Sequence, residues 1–346
     1  MKKLAVISVF LLGSLWSAQA ASPALDKVLP LLQKRQRTAA ENQQVLSLFR
    51  TASDPEIIFA TGASLVKNPP AKVQEPALFS ILMRPESALK QTFAAVIITA
   101  MGSVHTELSP ILEQALISQD PALRAYAAAA YAIINPQTTA YTPEIVRLYI
   151  FDPALAARAM NVLTGKEKSP LPILKKTTTS SDEQIRAATA TWLGDLHTQQ
   201  AAKELLKMAK KESAPSVQAI IATGLAAQRD YTLPLVTKGL QNKPASAYAT
   251  TCALTLGFMP GYATDALRQN LTSTKTNARI NAARAAAYMA GVLSNPDAFA
   301  YSSDRTFDIY LLKGLIAPLK ALALSGSAEE KTYAENAMRQ IEKLME

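Results

Sequence analysis

Several residue types on which catalytic and metal sites depend are scarce in this chain. Its 346 residues include one cysteine, Cys252, and two histidines, His105 and His197. A single thiol cannot close an internal disulfide, so we expect the fold to be held by packing alone. Cys252 lies in an apolar, helix-like stretch and is predicted to be a small buried core residue.

Aromatic residues make up 6% of the chain, and β-branched runs, the usual strand signal, are sparse. After the N-terminal segment, no apolar run approaches the roughly 18–20 residues of a membrane helix. Alanine, the best helix former, is abundant instead. The composition therefore predicts an all-α protein with no transmembrane segment in the mature chain.

Sequence motifs of common active sites are also missing. The chain contains no P-loop, no H-E-x-x-H, no G-x-S-x-G, no G-x-G-x-x-G and no D-x-D calcium loop. No basic motif interleaved with aromatic residues, of the kind that binds nucleic acid, is present. We predict that the protein is not an enzyme and has no cofactor and no metal site.

The N-terminus has the three parts of a cleavable signal peptide. Lys2 and Lys3 precede an apolar stretch from Leu4 to Trp16, which ends at the cleavage pattern Ala18-Gln19-Ala20. We predict a signal peptide over residues 1–20 that is cut after Ala20, and a periplasmic or secreted protein. The alternative is a retained anchor.

The net charge is +9, from 36 Lys and Arg against 27 Asp and Glu. Removal of Lys2 and Lys3 leaves 34 − 27 = +7. Such an excess attracts anionic partners weakly and over long range.

The most informative feature is an internal repeat. Ser181 to Leu196 resembles a capped, alanine-rich helix that ends near a glycine, and Gln199 to Lys211 forms a second helix with one apolar stripe. Glycine is the residue best suited to the left-handed conformation that ends many helices. Glycines recur with gaps of 29, 30, 33 and 34 residues at Gly165, Gly194, Gly224, Gly257 and Gly291, with an earlier one at Gly102.

Proline marks the helix starts on the same period. First helices are predicted to open at Asp120-Pro121, Asp152-Pro153, Ala214-Pro215 and Lys243-Pro244. Second helices are predicted to open at Ser109-Pro110, Thr142-Pro143 and Ser169-Pro170. A pair of helices this short cannot bury its own apolar face, so the units must stack. We predict an α-solenoid of about seven units of ~31 residues each.

The segments 120–125 and 181–188, with the following Leu193-Gly194-Asp195-Leu196, resemble the HEAT-repeat family, in particular its short bacterial, phycobilisome-lyase-like branch. The resemblance implies a capping Asp and an Arg that packs between units, which here are Asp120 with Arg124 and Asp182 with Arg186. This role is expected to fail where Gln218 and Ala247 stand in place of the Arg. The predicted organisation is an N-terminal helical segment with a proline-rich connector (21–85), a repeat array (86–292), and a C-terminal loop with capping helices (293–346).

One set of residues is a candidate binding groove. The residue after an apolar pair in successive second helices is Arg147, Lys175, Lys207, Thr237 and Arg268, preceded by Glu113 in an earlier unit. Stacking would place them about 10 Å apart, and Lys203, Lys210 and Lys211 would widen the basic row. The resemblance implies that second helices line a concave face. The alternative is that these residues occupy ordinary solvent-exposed positions and have no role in binding.

Three functions follow as hypotheses. The first is a non-catalytic scaffold or adaptor that binds a protein partner. The second is binding of an anionic envelope polymer or lipid head group through the basic groove. The third, an enzyme or lyase accessory, rests only on the resemblance.

Overall fold

A computed structural model describes residues 23–34, 36–83, 87–165, 169–295 and 304–345. The predicted signal peptide and much of the predicted loop after residue 293 lie outside these ranges. The regular elements of the described residues are all helical, with short 3₁₀ turns at Lys72–Gln74 and Thr106–Leu108. In chain order the α-helices are α1 (Pro23–Leu32), α2 (Ala39–Thr51), α3 (Pro55–Lys67), α4 (Glu75–Leu82), α5 (Ala88–Ala100), α6 (Ser109–Leu116), α7 (Pro121–Ile134), α8 (Thr142–Phe151), α9 (Pro153–Thr164), α10 (Leu171–Thr177), α11 (Glu183–Asp195), α12 (Gln199–Ala209), α13 (Pro215–Ala227), α14 (Arg229–Gly239), α15 (Ala247–Gly257), α16 (Thr264–Leu271), α17 (Thr276–Ser294), α18 (Arg305–Lys313), α19 (Ile316–Ser325) and α20 (Ala328–Met345).

The described chain divides between Thr177 and Thr178 into two compact units. This division falls inside the predicted repeat array, at the end of α10. We refer to the unit before it as the N-terminal unit and to residues 178–345 as the C-terminal unit.

In the N-terminal unit, the first helices of successive pairs pack on one another. Helix α5 contacts α7, and α7 contacts α9, while α6 and α8 lie against the first helices. Four consecutive alanines and their neighbours make most of α7 a buried helix, because a methyl side chain lets other helices approach closely. Helix α3 packs on α5, and Phe59, Phe93 and Tyr126 form an aromatic cluster there.

The C-terminal unit repeats this arrangement. Helix α11 packs on α13, α13 on α15 and α15 on α17, and α20 covers α17. Trp192 and Cys252 are buried in these first helices, as predicted. Helix α20 buries Ala334, Ala337 and Ile341 and leaves most of its other side chains exposed, as a terminal capping helix requires. The prediction of an all-α solenoid of stacked helix pairs is confirmed.

The repeated glycines have two different roles, and only one was predicted. Gly102 and Gly165 follow the ends of α5 and α9 with φ of 94° and 81°, the expected left-handed conformation. Gly194, Gly224 and Gly257 lie inside helices instead. A Cβ atom on Gly194 would lie 2.9 Å from the Cα of Gly224, so these glycines let successive first helices approach each other.

Asp120 and Asp182 cap their helices as predicted, and each accepts two backbone N–H groups. The Arg four residues later donates from Nη1 to the carbonyl six residues before it. Arg124 reaches Ser118 at 2.7 Å and Arg186 reaches Ser180 at 2.9 Å. Each Arg thus fixes the turn through which its first helix is entered.

The same contact recurs at two positions where it was not expected. The Gln218 side-chain amide donates to the Glu212 carbonyl at 2.7 Å, so the prediction that the role fails at Gln218 is wrong. An amide supplies the same N–H donor without the charge. Arg279 makes the contact to Ser273 at 2.6 Å.

Some predicted helix starts are displaced. Ser246 caps α15, three residues after the predicted Lys243-Pro244 start. Ser109 and Thr142 are the first residues of α6 and α8 and not their caps. Helices α18 and α19 are separated by Gly314-Leu315. Among the described residues, no helix combines the length and apolar character needed to cross a membrane.

Candidate binding surface

Four of the predicted groove residues lie together at α12. Lys203 and Lys207 are four residues apart on one side of α12, and Lys210 and Lys211 follow in the turn after the helix. All four are exposed. The Lys207 ammonium donates to Glu204 at 2.9 Å, whereas Lys203 and Lys211 have no carboxylate within ion-pair distance among the described residues.

A pocket of about 460 Å³ opens beside the end of this lysine row. It contains two of the predicted residues, Lys207 and Lys211, together with a group of hydroxyl side chains. Its lining is Thr178, Thr179, Ser180, Arg186, Glu204, Lys207, Met208, Lys211, Glu212 and Ser213. Three cations therefore face two carboxylates, and both carboxylates are already paired.

The Arg186–Glu212 pair forms one wall of this pocket. Arg186 donates to both carboxylate oxygens, at 2.8 and 3.0 Å, and Glu212 is buried. Burial alone raises the pKa of Glu212, but hydrogen bonds from Arg186 and from the Ala214 N–H outweigh it, so the pKa lies below its ordinary value of 4.5. Glu212 therefore remains ionised and bound to Arg186 at neutral pH.

Lys210 lies above the Tyr248 ring, 5.5 Å from its centroid. Burial raises the pKa of the Cys252 thiol to about 12, and it also raises the pKa of Tyr248 to about 12. Because the thiolate is the reactive form, Cys252 is inert at neutral pH. The prediction of a buried core cysteine is confirmed.

Arg147 is not an exposed groove residue. Its side chain is 3% exposed, and its Nε donates to Glu144 at 2.8 Å. Glu144 also lies 3.5 Å from Arg124. The expectation of an accessible cation at Arg147 is wrong, because α8 is buried on several sides and its cation is held inside by a carboxylate.

The remaining predicted residues are divided between the two units. Lys175 is exposed on α10 of the N-terminal unit, which also holds Arg147. Arg268 lies on α16 of the C-terminal unit, 46% exposed, and donates to Asp265 at 2.7 Å. The structure thus groups Lys203, Lys207, Lys210 and Lys211 on α12 and the turn after it, and leaves the others elsewhere.

The predicted register of the row is off by one residue at α14. The exposed positions Lys203 and Lys207 of α12 correspond, 31 residues later, to exposed Pro234 and Lys238, whereas Thr237 turns its hydroxyl into a buried position. Choosing the residue after an apolar pair therefore missed Lys238. Adding 31 residues to the exposed positions of α12 identifies the exposed positions of α14 correctly.

A second group of exposed side chains on the same helices was not predicted. Tyr231 and Leu235 of α14 are 47% and 44% exposed, and Tyr262, before α16, is 46% exposed. The two tyrosines are separated by 262 − 231 = 31 residues, the repeat period. Their equal spacing was available in the sequence, but exposure of apolar residues cannot be recognised from spacing alone. Together with the half-exposed Arg229, we call the following exposed residues of α12, α14, α16 and their flanking turns the second-helix face: Lys203, Lys207, Lys210, Lys211, Tyr231, Leu235, Lys238, Tyr262 and Arg268.

Both histidines lie between helices, and two carboxylates flank His105. Its Nε2 lies 2.7 Å from Glu75 and its Nδ1 lies 3.1 Å from Glu107. His197 is exposed with φ of 47°. Within the described ranges, no three His, Cys, Asp or Glu side chains are grouped so that they could hold a metal ion.

No family model matches the chain, and no curated protein matches it in sequence. Solved structures are similar to it. One is the archaeal HEAT-like repeats protein from Thermococcus onnurineus NA1, at 10% identity, covering 79% of this chain and 98% of that chain, with a TM-score of 0.26. Another is the complex of CpcE and CpcF of phycocyanin lyase from Nostoc sp. PCC7120, at 14% identity, covering 82% and 96%, with a TM-score of 0.26. These likenesses concern the helical-repeat fold only, and the functional argument rests on this chain's own surface.

Proposed function

We propose that the protein is an exported, non-catalytic scaffold that binds a protein partner on the second-helix face. The observation that carries this proposal is the composition of that face. It exposes two tyrosines and a leucine in addition to its lysines and arginines. Exposed apolar side chains surrounded by charged ones are typical of protein interaction sites, and tyrosine and arginine dominate binding energy there.

Site-specific crosslinking tests this proposal directly. A photoreactive phenylalanine analogue is placed at Tyr231 or Leu235 in the native host, and, as a control, at exposed Glu335 on α20. We expect a discrete crosslinked protein from Tyr231 and Leu235 and none from Glu335. The absence of a crosslink from both α14 positions, or the same products from all three, would contradict the proposal.

Export is part of the proposal and has its own test. The N-terminal pattern at residues 2–20 supports cleavage after Ala20. Cell fractionation and intact-mass measurement should give a protein that begins at Ala21 outside the cytoplasm. A full-length mass in the cytoplasmic fraction would refute export and leave the binding proposal in place.

A second candidate function is binding of an anionic polymer or lipid head group. It is favoured by the lysine row on α12, where Lys203 and Lys211 lack carboxylate partners. Reversing Lys203, Lys207 and Lys211 to Glu should abolish binding to phosphatidylglycerol vesicles at low salt. The matched control reverses the exposed Lys313, Lys320 and Lys343, which changes the net charge equally. If both triple variants lose vesicle binding equally, the attraction depends only on net charge, and this function is excluded.

A further inference from the structure

Arg229 and Tyr262 form an exposed stack on the second-helix face. The Arg229 guanidinium lies 4.3 Å from the centre of the Tyr262 ring. Its side chain is 35% exposed. Stacking on an aromatic ring fixes the plane of a guanidinium while leaving its charge and its N–H donors available.

The carboxylate nearest to Arg229 is held loosely. Asp230 lies 3.9 Å away, beyond hydrogen-bond distance, and its own side chain is 88% exposed. Other arginines of the C-terminal unit hold a carboxylate much more closely. Arg186, Arg268 and Arg279 do so at 2.8, 2.7 and 2.6 Å. Arg229 therefore lies over a ring and has no carboxylate within hydrogen-bond distance among the described residues.

The helix that carries this arginine also exposes apolar side chains. Tyr231 is two residues from Arg229, and Leu235 follows Tyr231 by one helical turn, so both extend from the same exposed side of α14. Tyr231 and Tyr262 occupy equivalent positions in successive units. Stacked helices are about 10 Å apart, a distance that about three residues of an extended chain span, so both rings can contact one extended peptide.

We propose that Arg229, Tyr262, Tyr231 and Leu235 bind a protein segment in which a carboxylate side chain stands near an aliphatic or aromatic one. This inference rests on the proposed scaffold function and names the chemistry of its partner. The stacked Arg229 takes the carboxylate, and Tyr231 and Leu235 take the apolar side chain. Lys203, Lys207 and Lys238 on the same face favour further acidic residues. A purely anionic polymer would leave the apolar residues without a role.

Three fluorescent peptides test this chemistry against the mature chain by fluorescence anisotropy. The first alternates Asp or Glu with Leu or Phe, the second replaces every acid by its amide, and the third replaces every apolar residue by Ser. We expect the first to bind, and both others to bind at least about tenfold more weakly, a difference of ~1.4 kcal/mol. Equal binding of the first and third peptides would overturn the proposal, because charge alone would then suffice.

Variants assign the roles of the individual residues. Arg229→Gln should weaken the first peptide about tenfold, and Arg229→Lys should restore only part of it, because an ammonium cannot reproduce the stacked fork. Tyr262→Ala should also weaken binding, and by much less in the Arg229→Gln background, because both changes remove one stacked unit. Arg339→Gln, an exposed arginine of α20, is the matched control and should change nothing.

The result separates this inference from the function on which it rests. Crosslinking of a partner from Tyr231, combined with peptides that bind equally well or not at all, would overturn the carboxylate–apolar chemistry and leave the scaffold intact. Failure of crosslinking from α14 would remove the scaffold proposal itself. An Arg229→Gln variant that binds the first peptide like the wild type, with unchanged circular dichroism, would overturn the role of the stack.

Discussion

Helix α8 of the N-terminal unit and helix α12 of the C-terminal unit carry a cation at the same place in their sequence pattern. Arg147 follows Ile145-Val146, and Lys207 follows Leu205-Leu206. Yet the Arg147 side chain is 3% exposed and that of Lys207 is 69% exposed. Each residue of a helix is rotated about 100° from the previous one. The residue that follows the apolar pair is therefore buried only where neighbouring elements cover most of the circumference of the helix.

The difference gives the two cations different roles. In α8, Ile145, Val146 and Leu148 are also buried, so the helix is covered on several sides and Arg147 needs an internal partner. In α12, buried residues leave an exposed stripe on which the lysines lie. The same sequence pattern therefore supports stability in one unit and supplies a surface charge in the other.

The largest expected effect separates these roles. Arg147→Ala removes a buried cation and leaves Glu144 with only the 3.5 Å contact to Arg124. We expect a loss of about 3 kcal/mol in the free energy of unfolding, as is usual when one member of a buried pair is removed. Urea unfolding followed by circular dichroism measures it. A loss below ~0.5 kcal/mol would place Arg147 with the surface charges.

Arg186→Gln should have the next largest effect. It removes the charged, two-bond contact to the buried Glu212 carboxylate, which keeps its bond from the Ala214 N–H, and we expect a loss of about 2 kcal/mol at pH 7. The folded pKa of Glu212 lies below 4.5, so the stabilisation by this pair is present above that value and is lost as the pH falls through the folded pKa. The gap between wild type and variant should therefore narrow below pH 4.5.

The control for this experiment is Arg339→Gln, in which an exposed arginine of α20 is replaced by the same residue. Its free energy of unfolding should follow that of the wild type throughout the acid titration. A gap for Arg186→Gln that stays constant from pH 7 to below the folded pKa would mean that Glu212 is not the group that titrates.

The fold was largely predictable from the sequence, and the candidate surface was not. The capping aspartates and the glycine period depend on local backbone chemistry, which a sequence displays directly. The burial of Arg147, the exposure of Tyr231 and the substitution of Gln218 for an Arg depend on what neighbouring helices cover. At α14 the predicted residue, Thr237, is half-buried with its hydroxyl covered, whereas the next residue, Lys238, is exposed.

Two glycines of first helices differ in the space around them: a side chain at Gly194 would meet a neighbouring helix, and one at Gly291 would not. Gly194→Ala places a Cβ 2.9 Å from the Gly224 Cα, a backbone atom that cannot move aside easily. The cost of overpacking, about 1–3 kcal/mol, exceeds the gain of up to ~1 kcal/mol in helix propensity. Gly291→Ala meets nothing within 4 Å in α17, so only the propensity gain remains. Thermal unfolding should show a lower Tm for Gly194→Ala and a slightly higher one for Gly291→Ala. A rise in both would mean that the first helices can separate at no cost.

The smallest expected effect is that of Lys207→Ala. The ammonium is exposed and pairs with Glu204 three residues earlier, a contact worth about 0.5 kcal/mol or less because water screens it. Glu204 is only 11% exposed. The alternative is therefore that Lys207 stabilises the fold by neutralising the Glu204 carboxylate, as Arg147 does for Glu144. Urea unfolding at low and high salt distinguishes the two. A loss under ~0.5 kcal/mol that disappears at high salt identifies a surface charge free to bind a partner. A loss above ~1.5 kcal/mol that persists at high salt would make Lys207 a structural residue and remove it from the second-helix face.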